Sequence, residues 1–140
     1  MTLIVTVDDG FGLAFGAKRQ SRDRELVRDA VGLASGRKIL AREYSRLIFD
    51  EAGIKSDAVV FCDEPTKAAK KDDLVFLELA VKKSELDLAE QIIIYAWNRR
   101  YPATAKLDMG YIEANFKLKD EYEFVGNSHE KITRRTYKRK

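Results

Sequence analysis

The sequence predicts an α/β fold with a mostly parallel sheet, an antiparallel C-terminal hairpin and flanking helices. Three observations carry this prediction. Up to Pro102, short apolar runs alternate with stretches of helical period, giving the β-α-β-α-β order of a parallel sheet. The runs at residues 2–7 and 92–97 are almost wholly apolar, as in strands buried on both faces. Beyond Pro102, Phe116/Leu118 and Tyr122/Phe124 alternate with charged residues, as half-buried antiparallel strands do.

Residues 2–7 form the first strand, ended by Asp8-Asp9-Gly10. A glycine-spaced loop runs from Gly10 to Arg19. Ser21 is an N-cap residue type for a helix over about 22–35, whose apolar face is Leu26, Val27, Ala30, Val31 and Ala34, with Gly36 as its stop. Lys38–Ala41 is a short strand. A second helix spans about 43–52 with Tyr44, Leu47, Ile48 and Ala52 inward and Gly53 at its end. Residues 58–61 and 74–79 are further strands, separated by a polar, lysine-rich loop or short helix at 63–73. Ser84 caps a helical segment to about Glu90, and 92–97 is the most apolar strand, placed centrally. A last strand covers 132–138.

The length of 140 residues fits one domain, 1–140, with a core that needs neither disulfide nor metal. The lone Cys62 cannot form an internal disulfide. No run approaches a membrane span, and the N-terminal apolar run is short for a signal peptide and has no basic flank. The expectation is a cytoplasmic protein. The net charge is +3, with Lys131, Arg134, Arg135, Lys138, Arg139 and Lys140 concentrated at the end. This basic C-terminus is a possible nucleic-acid contact, although it lacks a spaced stacking platform. Its cations also suit an edge strand guarded against mispairing, which is the favoured reading.

The loop Gly10-Phe11-Gly12-Leu13-Ala14-Phe15-Gly16 has G-x-G-x-x-x-G spacing, and its helix begins too late to hold a pyrophosphate. It reads as a turn that needs glycine. Asp8, Asp9, Asp23 and Glu25 lie near the C-terminal edge of the sheet, where a buried carboxyl serves as a general acid or a helix N-terminus simply favours acids. His129 is the only histidine, which excludes the common zinc constellations; no metal site is expected. His129 could act alone as an acid or base, so Asp23, Glu25 and His129 are the catalytic candidates. Arg19, Arg22 and Arg99 lie where strand ends could clamp phosphate or carboxylate.

These residues resemble the dihydrofolate reductase family at both ends of the chain, over about residues 1–50 and 89–140. Leu3–Asp8 with Gly12-Leu13 resembles its first strand and turn. Glu25-Leu26 stands where that family has its pterin-binding carboxylate. Gly36–Arg42 resembles its Gly-Lys-Pro-Val-Ile-Met-Gly-Arg run, which implies Arg42 as an NADPH phosphate contact. Ala89–Tyr95, Phe116–Leu118 and Thr136–Lys140 resemble a late central strand and the closing hairpin. The departures bear on activity. Arg19-Gln20-Ser21 replaces Leu-Pro-Trp, Ala41 replaces the glycine of Gly-Arg, and Tyr44-Ser45 stand where a threonine is expected. No glycine lies between Gly53 and Gly110, so the family's Gly-Gly turn has no counterpart beside Leu79. A side chain there blocks the backbone's approach to a pyrophosphate, which argues against NADPH in the usual mode.

The chain also resembles small bacterial proteins sometimes labelled ribonuclease Z, through Arg19–Arg24, Trp97–Pro102 and Gly126–Thr133. That label implies a histidine-rich two-metal centre, which one histidine cannot supply. The three runs together predict one cleft formed by Arg19, Arg22, Asp23, Asn98, Arg99, Asn127, Ser128 and His129, with Arg42 as a further ligand contact. The expected function is binding of an anionic or nucleotide-like ligand, or a partner, without reductase activity of the usual kind. The alternatives are an NAD(P)H-dependent reductase with an altered cofactor site and a metal-independent ribonuclease or RNA-binding protein.

Overall fold

A computed structural model describes residues 1–55 and 57–140. Strands β1 (Thr2–Val7), β4 (Ile39–Ala41), β5 (Val59–Phe61), β6 (Leu74–Leu77), β7 (Gln91–Ala96), β9 (Phe116–Phe124) and β10 (Ile132–Arg139) form one sheet. Its order is β5-β4-β6-β1-β7-β10-β9. The strands from β5 to β7 are parallel, and β10 and β9 are antiparallel. The expected mostly parallel sheet with an antiparallel C-terminal hairpin is therefore observed.

The alternation of the central strands explains the layers. On one face Ile4, Phe76, Ile93 and Tyr95 pack against α1 (Arg24–Ala34) and α2 (Arg46–Glu51). On the other, Leu3, Val5, Val75, Leu77, Ile92 and Ile94 pack with α4 (Lys83–Leu88) and α5 (Met109–Asn115). Successive strand side chains point to opposite faces, so a strand with both faces covered must be apolar throughout. That is why β1 and β7 stand out in the sequence. The short α3 (Pro65–Ala68) lies in the lysine-rich segment.

Several expectations change. The Gly10–Arg19 loop contains β2 (Gly12–Phe15) and β3 (Lys18–Arg19), which form a second small sheet with β8 (Ala105–Lys106). Gly16 and Ala17, at φ 58° and 59°, make the two-residue turn between β2 and β3, a conformation that matches strand twist in hairpins. Helix α1 is capped by Asp23, not Ser21: Asp23 is extended, and its carboxylate accepts from Glu25 N–H and Leu26 N–H. The second helix opens as a 3-10 turn at Glu43–Ser45, whose tighter winding breaks the 3.6-residue phase. Tyr44 and Leu47 consequently face outward, while Ile48 and Phe49 enter the core. Short α5, capped by Asp108, was hidden by Gly110 and by its own brevity.

The basic C-terminus is not an edge. β10 lies between β7 and β9, and its three arginines have partners. Arg134 pairs with Asp29, Arg135 with Glu121, and Arg139 donates to the carbonyls of Leu86 and Ala89. Tyr95 donates to the same Asp29 carboxylate at 2.6 Å, and burial together with that negative charge pushes the phenol pKa far up. Among the described residues, no helix is long and apolar enough to cross a membrane.

Candidate functional site

The loop between β9 and β10 closes over the N-terminus of α1, and Asp23 is the point of closure. Its Oδ1 accepts from Glu25 N–H at 2.9 Å and from Asn127 N–H at 3.0 Å. Its Oδ2 accepts from Ser128 N–H at 2.8 Å and faces His129 Nδ1 at 3.1 Å. Burial raises the Asp23 pKa, but the N–H groups of Ser128 and Asn127, the His129 ring and Glu25 N–H outweigh it. The carboxyl therefore titrates below its ordinary value. Asn127 Oδ1 accepts from Arg24 N–H, which adds a second cap to the helix. Gly126 is required at this closure: a Cβ there would lie 2.9 Å from both Asp23 Cγ and the His129 carbonyl oxygen.

His129 has a side-chain exposure of 2%. Its ring stacks on Trp97 with centroids 4.6 Å apart. Nε2 lies 3.0 Å from Ser21 Oγ and 3.1 Å from the Tyr101 hydroxyl. An ionised Asp23 only accepts, so the proton belongs on Nδ1 and Nε2 is left as an acceptor. Tyr101 O–H is placed to donate to Ser21 Oγ at 3.4 Å. The polar groups thus converge on the imidazole, with the Ser21 and Tyr101 hydroxyls at Nε2 and with Asp23 and the Ser128 hydroxyl at Nδ1.

Asp8 organises the adjoining turn. It is buried and accepts from Gly12 N–H at 2.7 Å, Gly10 N–H at 2.9 Å, Tyr101 N–H at 3.0 Å and the Gln20 side-chain amide at 3.3 Å. Burial raises its pKa, and these donors, Gly12 first, bring it below the usual range. Gly12 cannot be larger, since a Cβ would lie 2.6 Å from Ala103 Cβ.

A third network fills the ends of β4 and β6. Arg19 makes a bidentate pair with Glu78, Nε to Oε1 at 2.8 Å and one terminal nitrogen to Oε2 at 3.0 Å. Ser45 Oγ donates to Glu78 Oε2 at 2.7 Å, and Arg19 also stacks over Tyr44. The space remaining between Arg42, Tyr44, Ser45, Glu78 and Leu79 is about 20 Å³.

Next to the Asp23 closure lies an open cleft of about 440 Å³. Arg19, Ser21, Arg22, Arg99, Ser128 and His129 line it. Arg22 also reaches Glu51 at 3.1 Å, whereas no carboxylate among the described residues pairs with exposed Arg99. The structure therefore brings together Arg19, Arg22, Arg99, Ser128 and His129. Asp23 and Asn127 line a neighbouring hollow with Arg22. Asn98 is turned to structural use: at φ 60° it donates to the Lys131 carbonyl and to Thr133 Oγ1. Arg42 lies apart from the cleft, in the filled space beside Glu78. Glu25 is not buried beside a pocket and pairs with Arg28 at 2.9 Å.

Sequence reasoning missed Ser21 as a partner of His129, and it missed Tyr101, Gln20 and Glu78 altogether. Ser21, Gln20 and Tyr101 stand inside runs already singled out, so their company was a signal. Nothing in the sequence around Glu78 marks it, since a glutamate after an apolar strand is an ordinary surface residue.

No family model matches the sequence, and neither does any curated protein. Among solved structures, the chain is similar to a dihydrofolate reductase from Enterococcus faecalis complexed with NADP(H) and RAB-propyl. The TM-score is 0.61 at 10% identity, covering 99% of this chain and 95% of that one. The resemblance to proteins labelled ribonuclease Z gains no support from these comparisons. The chain has a dihydrofolate reductase-like fold.

Proposed function

We propose that this protein binds a small anionic ligand, of phosphate or carboxylate type, in the cleft bounded by Arg19, Arg22 and Arg99. One observation carries the reading: exposed Arg99, which no carboxylate among the described residues pairs with, borders an open cleft that Arg19, Arg22, Ser21 and Ser128 also line. Guanidinium forks suit the planar oxygens of phosphate and carboxylate, and hydroxyls complete such a shell. A nucleotide-like ligand fits this chemistry through its phosphate. The test is thermal unfolding with inorganic phosphate, nucleoside phosphates and the matching uncharged nucleosides. The anionic members raise the midpoint and the neutral ones do not, because only a ligand that binds the native state stabilises it. Arg99→Ala abolishes the rise without lowering the midpoint of the unliganded protein. Equal shifts from nucleosides and their phosphates sink the reading.

A reductase of the usual kind is less well supported. The matched structure carries NADP(H), but the residues here do not fit that cofactor. The resemblance implies a Gly-Gly turn beside Leu79, and this chain has no glycine there; the neighbouring Glu78 carboxylate would set negative charge against a pyrophosphate brought to that turn. The space beside Arg42 is about 20 Å³, against about 440 Å³ for the cleft beside Asp23. An RNA-cleaving role for a lone His129 is disfavoured by its burial and by its partners on both nitrogens.

A further inference from the structure

The geometry points to Ser21 as a nucleophile in an Asp23–His129–Ser21 relay that hydrolyses small carboxylic esters bearing an anionic group. The distances are those of a working relay: 3.1 Å from Asp23 Oδ2 to His129 Nδ1 and 3.0 Å from His129 Nε2 to Ser21 Oγ. A serine hydroxyl is a weak nucleophile until an adjacent base takes its proton, and that base works only when a third group orients it. Asp23 is such a positioning residue. Backbone N–H groups of α1 and of the 126–128 loop, together with the Ser128 hydroxyl at 3.2 Å, hold its two oxygens, so it is fixed against the ring. Trp97 holds the imidazole plane from one side. Ser21 is half-buried and opens into the arginine cleft, while Asp23 and His129 lie beneath it.

The chemistry balances with water as the only co-reactant. Ser21 Oγ attacks the ester carbonyl carbon, and its proton passes to His129 Nε2. The carbon–oxygen bond to the alcohol breaks, and the alcohol leaves with that proton. Water then adds to the acyl-serine, giving a proton to Nε2, and Ser21 departs and recovers it. Arg22 and Arg99 line the same cleft, and the unpaired Arg99 above all would favour substrates with a phosphate or carboxylate. This substrate class rests on the anion-binding reading above; the relay itself does not.

The first test uses a neutral alkyl fluorophosphonate, in which Ser21 Oγ displaces fluoride at phosphorus. The expected result is a single adduct that peptide mass spectrometry maps to Ser21, absent in Ser21→Ala and formed at least about 100-fold more slowly in His129→Gln. No adduct, an adduct on another residue, or wild-type rates in folded His129→Gln overturn the relay. The lone histidine allows a second test that needs no histidine variant. Its 15N spectrum shows a protonated Nδ1 and an unprotonated Nε2, and Ser21→Ala shifts the Nε2 signal. The opposite tautomer, or an Nε2 signal indifferent to Ser21→Ala, overturns the relay as well. Inorganic phosphate separates this inference from the reading it builds on. Phosphate that slows labelling supports both; labelling of Ser21 that phosphate leaves untouched keeps the relay and removes the anionic substrate class.

Discussion

Asp23 and His129, 106 residues apart in sequence, meet at 3.1 Å with almost no solvent exposure on either side chain. The same carboxylate caps α1 and accepts from two N–H groups of the loop that carries His129. One side chain thus fixes a helix end, a loop and an imidazole.

Removing that side chain leaves several donors without a partner. Asp23→Ala is expected to cost about 3–4 kcal/mol, since a lost cap and each buried orphan donor cost about 1 kcal/mol or more. Urea unfolding measures this directly. A loss below about 1 kcal/mol would show that water replaces the carboxylate easily.

Acid should loosen the same region. The folded pKa values of Asp23 and Asp8 both lie below their ordinary values, so the unfolded chain binds protons more readily than the folded one. Their contribution is complete above the unfolded carboxyl value, near about 4, and declines as pH falls through the folded values. The unfolding midpoint should therefore hold steady from neutral pH to about 5 and drop below about 4. Asp8→Asn should flatten that drop; an unchanged slope would contradict the assignment.

Two glycines should respond to alanine in opposite directions. Gly126→Ala forces a Cβ against Asp23 and the His129 carbonyl, with an expected cost of about 2 kcal/mol or more, as for overpacking. Gly32 is an exposed position of α1 with open space around it, so Gly32→Ala should gain about 0.5–1 kcal/mol. Thermal unfolding of both variants, side by side, checks the pair.

Arg19 and Glu78 should not tolerate loss of one partner. Arg19→Met leaves the buried Glu78 carboxylate with Ser45 alone and should cost about 3 kcal/mol, the range for a broken buried pair. The double variant Arg19→Met/Glu78→Leu should recover much of that loss. A double-mutant cycle with no coupling would place the pair among weak surface bridges.

NADPH at about 1 mM should leave the unfolding midpoint unchanged, because a ligand stabilises only where it binds the native state. A rise of several degrees would mean that the Arg19–Glu78 pair opens to admit the cofactor.

What the sequence determined by itself was the succession of the main strands and the change from parallel to antiparallel pairing after Pro102. Short β-branched apolar runs such as Leu3–Val7 and Ile92–Ala96 suit strands covered on both faces, because water penalises each exposed apolar face. The motifs at 19–24, 97–102 and 126–133 were also legible as groups, and they do meet in space. Their division of labour was not legible. Whether Ser21 or Asp23 caps α1, whether Asn98 faces a ligand or its own backbone, and whether the basic C-terminus is an edge all depend on long-range partners. Those partners are set by how the β9–β10 loop packs on the start of α1. A carboxylate, an imidazole or a guanidinium has no fixed role until its hydrogen-bond partners are in place. Only the tertiary structure decided that Asp23, Ser21 and Tyr101 gather on His129, and that Glu78 is buried against Arg19 and Ser45.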